Sequence, residues 1–145
     1  LGDVYKRQGL LTPSKSNNFS ALAVLDAPFD FETLVREELI YQGFSELLWT
    51  PLYHYVLIFE GINLLANNPE DSLKAGNKQP ILIFNGMDND RVLPHHTDDL
   101  IDSATEIGIE LEINRYEELG HTRVLYDYPK EFSLKLVQFF SRHLN

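Results

Sequence analysis

Two short segments hold the side chains best suited to chemistry. One is an acidic turn, Asn85-Gly86-Met87-Asp88-Asn89-Asp90-Arg91-Val92-Leu93-Pro94, and the other is Gly120-His121, 31 residues beyond Asp90. Each follows a short apolar run: Pro80-Ile81-Leu82-Ile83-Phe84 before the acids, and Ile109-Glu110-Leu111-Glu112-Ile113 before the histidine. An acid at the end of one parallel strand and a histidine just past the next can orient an imidazole as a base. The carboxylate accepts the Nδ1 proton and leaves Nε2 able to deprotonate a nucleophile. Taken singly, an Asp in such a loop is most often a turn residue bonded to its own backbone. The pairing at successive strand ends outweighs that reading, because reactive groups gather outside the carboxyl ends of parallel strands. Asp90 is the expected partner of His121, with Asp88 and Asp26 as alternatives. No Gly-x-Ser-x-Gly turn, the usual carrier of a nucleophilic serine, occurs in the chain.

The elements that must position these groups alternate along the chain. Residues 19–25 (Phe-Ser-Ala-Leu-Ala-Val-Leu) read as a buried strand stopped by Pro28. Asp30 can cap a helix over about 31–42, with Leu34, Val35, Leu39 and Ile40 on one face and Gly43 as its stop. A second helical region over about 45–65 divides near Thr50-Pro51, since proline disfavours helical geometry in the residue before it. Asn68-Pro69-Glu70-Asp71 starts another helix, with two acids near its positive end. Residues 79–85 form the next strand, and a helix opening at His96 or Thr97 ends at Gly108. The strand at 110–116 alternates apolar and polar residues, the pattern of a sheet edge with one wetter face. Pro129 starts a last helix with Phe132, Leu136, Phe139, Phe140 and Leu144 as its apolar stripe. Strand and helix in alternation predict an α/β fold of parallel strands joined by crossover helices.

Composition narrows the function classes. The 145 residues are 43% hydrophobic and 12% aromatic, enough for a packed core. A formal charge of −10 argues against nucleic acid, whose phosphates need clustered Lys and Arg. No cysteine is present, which removes disulfides and thiolate zinc sites. The apolar stretch at 47–66 is broken by Pro51, His54, Glu60 and Asn63, so no membrane span is expected. His95-His96 with Asp98 and Asp99 could suggest a metal. Adjacent histidines tend to point apart and Thr97-Asp98-Asp99 reads as an acidic first helical turn, so no metal site is expected. Trp49, Tyr53, His54, Tyr55 and Phe59 fit core packing and a cap over a pocket equally well.

The motifs together, over nearly all of residues 19–144, resemble the C-terminal half of bacterial α/β-hydrolases of the prolyl-oligopeptidase and serine-aminopeptidase-like kind. Ala23-Val24-Leu25-Asp26-Ala27-Pro28-Phe29 is similar to the strand that follows the nucleophile helix, and Asn68-Pro69 with Gln79 to Gly86 to the approach to the acid strand. Asp90-Arg91-Val92-Leu93-Pro94 resembles the acid turn, and Leu119-Gly120-His121, Tyr128-Pro129-Lys130-Glu131-Phe132 and Phe139-Phe140 resemble the histidine loop and closing helix. In one respect the turn departs from the family: the acid ordinarily stands three residues after the glycine, and that position here is Asn89. Asp90 fits the other side of the motif, which implies one inserted residue.

The resemblance implies the C-terminal part of an α/β-hydrolase fold, three parallel strands with crossover helices. It also implies a serine hydrolase of carboxylic esters or amides acting on a small-molecule ester or a peptide. Asp90 and His121 would be its triad acid and histidine, and no cofactor would be needed. Some hydrolases place the acid after an earlier strand, which is the ground for Asp26. Leu1-Gly2-Asp3-Val4-Tyr5-Lys6-Arg7-Gln8 looks like the translation of a transposase-end sequencing adapter. On that reading residues 9–145 are the C-terminal portion of one hydrolase domain, with a helical cap-like segment at about 31–67. The nucleophile then lies on a missing N-terminal part, and the chain alone is expected to be inactive. The rival expectation is a non-catalytic α/β-hydrolase-like domain that binds a small molecule or a protein partner.

Overall fold

The computed structural model describes residues 20–61, 63–66 and 68–144. The adapter-like residues 1–8 and the first residue of the expected strand, Phe19, lie outside the described residues. Three strands, β1 (Leu22–Leu25), β2 (Ile81–Gly86) and β3 (Leu111–Tyr116), form one sheet in the order β1-β2-β3. Both pairings are parallel, with Val24 beside Ile83 and Ile83 beside Ile113. Helices α1 (Phe31–Tyr41), α2 (Trp49–Phe59) and α3 (Pro69–Ala75) lie between β1 and β2, and α4 (His95–Glu106) lies between β2 and β3. The chain closes with α5 (Val124–Asp127) and α6 (Pro129–His143).

The central place of β2 follows from its residues. Ile81-Leu82-Ile83-Phe84 offers no polar side chain to either face, and every residue of β2 is buried. The period of two then sorts the core into two layers. On one face Ile81 and Ile83 pack with Val24, Leu73, Leu100 and Ala104, beneath α3 and α4. On the other, Leu82 and Phe84 pack with Val124, Phe139 and Phe132, beneath α5 and α6. β3 is an edge of the described sheet, as its alternation predicts. Its polar face is not the wetter one as expected, because α6 covers it: Lys135 donates to Asn114 and Arg142 pairs with Glu112, while on the other face Ile113 is 43% exposed and Arg115 pairs with Asp98 of α4.

The helix signals mostly act where they stand. Asp30 accepts the Thr33 N–H at 2.7 Å as the cap of α1, and Gly43 takes a left-handed φ of 82° just beyond it. Pro69 opens α3 as its first residue. The expected break at Thr50-Pro51 falls slightly earlier. A short 3-10 turn (Glu46–Leu48) leads directly into α2, and Pro51 sits in the first turn, where its missing N–H costs nothing. The apolar face expected on α1 is not fully buried: Leu34, Val35 and Leu39 are half-buried and Ile40 is 56% exposed. No described helix is long and apolar enough to cross a membrane.

Candidate active site

Backbone contacts bring the acidic turn and the histidine loop together at the carboxyl ends of β2 and β3. Met87 N–H donates to the Tyr116 carbonyl at 2.9 Å and Asp88 N–H to the Leu119 carbonyl at 3.1 Å. This approach requires glycine at position 86, where a Cβ would lie 2.3 Å from the Leu119 oxygen and 2.9 Å from that of Gly120. Tyr116 also donates its hydroxyl to Glu131 at 2.9 Å. Burial and that carboxylate push the phenol up to about 12, so it stays a donor.

The side chain that meets His121 is Asn89, with its Nδ2 3.1 Å from the imidazole Nδ1. Asn89 is buried, and its Oδ1 accepts the backbone N–H groups of Arg91 and Val92, each at 3.0 Å. Those two donors decide which way the amide faces. Turning it over would set the NH2 group against them, at about 1–3 kcal/mol for each stranded donor, against about 1 kcal/mol from one new hydrogen bond. Nδ2 therefore faces His121, and Nδ1 must present a lone pair to it. Asp90, expected in this place, is exposed and lines a surface cleft with Glu37, Glu38, Tyr41 and Arg91. Asp88 is exposed as well. The position three residues after Gly86, which the sequence spacing singles out, is the one beside the imidazole.

Asp26, the third acid considered, is buried at the end of β1 and acts as a clamp. Its Oδ1 accepts the Gly86 N–H at 2.9 Å and the Asn85 side-chain amide at 3.3 Å. Its Oδ2 accepts the Thr122 N–H at 2.7 Å, directly after His121. Both ends of that last bond have left-handed backbone, with φ of 44° at Asp26 and 58° at Thr122. For a β-branched threonine this conformation is a genuine outlier, and such strain persists only where surrounding bonds over-determine it. One carboxylate thus ties the ends of β1 and β2 to the loop that carries His121.

A second cluster lies at the start of α4. His95 Nε2 and His96 Nε2 stand 3.0 and 3.1 Å from the two oxygens of Glu37, and the two rings stack at 4.6 Å. The expectation that these neighbours point apart is corrected here: Glu37, on α1, draws both rings to one side. His96 is wholly buried, its Nδ1 accepting the Phe29 N–H at 3.4 Å, which leaves Nε2 carrying the proton donated to Glu37. Burial lowers the His96 pKa, against the opposing pull of Glu37. A metal at Nε2 would need that proton gone and Nδ1 protonated against an N–H donor, so the bonds favour a neutral hydrogen-bonded ring.

No protein-family model matches the sequence, and no curated protein matches it. Solved structures do match in fold. An esterase of Pyrococcus furiosus aligns with a TM-score of 0.63 at 16% identity, over 96% of this chain and 49% of that one. An acylaminoacyl peptidase of Pyrococcus horikoshii aligns with a TM-score of 0.64 at 17% identity, over 95% of this chain and 22% of that one. An α/β hydrolase from the metagenome of Mar Chica lagoon sediments, Morocco, aligns with a TM-score of 0.57 at 16% identity, over 94% and 57%. The chain thus spans about half the length of the first structure and about a fifth of the second. Over the aligned residues, with parallel strands in one sheet and helices between them, its fold is that of the α/β-hydrolases.

Proposed function

We propose that this chain is part of a serine hydrolase of carboxylic esters or amides, with His121 as the proton-carrying residue. The observation that carries the reading is the joint placement of His121 and the Gly86–Val92 turn at adjacent strand ends, clamped by Asp26. The fold shared with an esterase and an acylaminoacyl peptidase supports it. A serine outside these residues attacks the carbonyl, its proton passes to His121, and His121 returns it to the leaving group. The residue beside Nδ1 is Asn89 rather than Asp90, so Asn89 takes the position the triad acid would hold. No cofactor is needed, and a small ester or a peptide is the substrate class.

The amide at position 89 also favours the second reading, a domain of the same fold that binds an ester, acid or partner without turning it over. Labelling of the complete protein by a fluorophosphonate separates the two. The hydrolase reading expects covalent labelling that His121→Ala abolishes. Absence of labelling in both the wild type and Asn89→Asp would leave only the binding reading.

A further inference from the structure

We infer that Asn89 holds neutral His121 as the tautomer with its proton on Nε2, so that the histidine is a hydrogen-bond donor at Nε2 and a poor base. The inference rests on the reading of His121 as the site histidine, but its first test does not depend on activity. Asn89 Oδ1 is committed to the Arg91 and Val92 N–H groups, and Nδ2 donates to Nδ1 at 3.1 Å. A neutral imidazole that accepts at Nδ1 carries its hydrogen on Nε2. The Nε2 lone pair that receives the serine proton is then offered only by the minor Nδ1–H tautomer. Isomerisation to the Nδ1–H form would bring an N–H against the amide NH2. An aspartate in this place has the same shape with the opposite polarity: one oxygen keeps the two backbone donors and the other accepts Nδ1–H.

Asn89 is thus a positioning residue that sets what His121 can do. With asparagine, Nε2–H is directed to an acceptor oxygen such as that of an acyl group or carboxylate. With aspartate, Nε2 presents its lone pair, and the serine proton has a destination as the Oγ–C bond forms. Replacement of a triad aspartate by asparagine lowers kcat by about 10⁴-fold with geometry intact. This chain carries that replacement in its own sequence, so the reverse change should recover activity.

The test uses the complete protein with 15N-labelled histidine, the His121 resonances being assigned by their loss in His121→Gln. Nitrogen–proton correlation spectra above the titration range report the tautomer directly. The expected result is Nε2–H in the wild type and Nδ1–H in Asn89→Asp. A wild-type spectrum showing Nδ1–H overturns the inference, even where Asn89→Asp fails to fold. The second measurement is the rate of fluorophosphonate labelling, expected to rise by about 10³-fold or more in Asn89→Asp. Equal rates in the two folded proteins would overturn the assignment of Asn89 as the residue limiting the base. No labelling in either, with the tautomer change intact, would overturn the hydrolase reading and leave the tautomer assignment standing.

Discussion

At the scale of single residues, Asp26 does more for the site than either exposed acid of the turn. Its carboxylate is the acceptor for Gly86 N–H and Thr122 N–H, which belong to the two segments flanking the imidazole. Asp26→Ala strands these donors, and at about 1–3 kcal/mol per unsatisfied buried group it should destabilise the protein by at least about 2 kcal/mol. The midpoint of urea unfolding measures this, and a loss under about 0.5 kcal/mol, the range of ordinary surface substitutions, would refute the clamp. His96 makes a prediction in pH. Burial holds its folded pKa below the ordinary 6.5. The unfolded chain therefore takes up the proton first as pH falls, so stability from the neutral ring is complete above about 6.5 and is lost below it, towards the folded value. Thermal unfolding between pH 7 and 5 should decline more steeply in the wild type than in His96→Gln. Parallel slopes would show that the ring protonates without cost in the fold.

At the scale of elements, turns and caps place the groups that the strands carry. Gly86 faces the histidine loop so closely that a Cβ there would lie 2.3 Å from the Leu119 oxygen, a backbone atom that cannot swing aside. Gly86→Ala should move His121 away from Asn89. On the proposed role of His121, misplacement by about 1 Å costs on the order of 10²-fold in rate, so in the Asn89→Asp background, where residue 89 supports the base, labelling of the complete protein should slow by that factor. An unchanged rate would show that the loop is not held by this approach. The cap of α1 is tied to the start of α3: Asn68 Nδ2 donates to Asp30 Oδ1 at 3.1 Å while Asn68 Oδ1 accepts Phe31 N–H at 3.2 Å. Burial opposes ionisation of Asp30, but bonds from Thr33 and Asn68 outweigh it and lower its pKa. Asp30→Ala should therefore cost about 1 kcal/mol at neutral pH. Because the folded pKa is the depressed one, this contribution is present above the unfolded value, near 3.9, and fades as pH falls below it.

At the scale of the whole molecule, the sheet is well covered, whereas α2 and the turn that leads into it are not. Leu82, on β2, is wholly buried beneath α6, whereas Leu47, Ile58 and Phe59 are 78%, 69% and 72% exposed. Apolar surface of this extent governs association more than folding. Lysine at positions 58 and 59 should change the unfolding free energy by less than about 0.5 kcal/mol while raising solubility and lowering the fluorescence of a bound hydrophobic dye. Leu82→Ala should cost about 2–5 kcal/mol, because the site is enclosed by β1, β2 and α6 and cannot collapse. A large loss on the lysine substitutions would place that surface inside the cooperative core.

What the residues determine by themselves is whatever depends on short separations along the chain. The unbroken apolar run at Ile81–Phe84 makes a central strand, the alternation after Ile109 makes an edge, and Asp30, Pro69 and Gly43 mark helix ends. Those properties arise from sterics and local hydrogen bonds, so they can be read in place. The presence of an acidic turn and a histidine at successive strand ends follows from the same order of elements. Which side chain of the turn meets His121 does not follow, because consecutive residues in a turn point to different sides. The choice of Asn89 over Asp90 is made by the Arg91 and Val92 N–H groups that hold its oxygen. The glycine spacing carried that signal, but the chemical preference for a carboxylate pointed the other way. Asp26 with Thr122, 96 residues apart, and Glu37 with His96, 59 apart, meet only because the parallel sheet and its crossovers bring distant segments to one end. Tertiary structure alone decides such pairs, since no local preference encodes a partner that the chain reaches only after the core has closed.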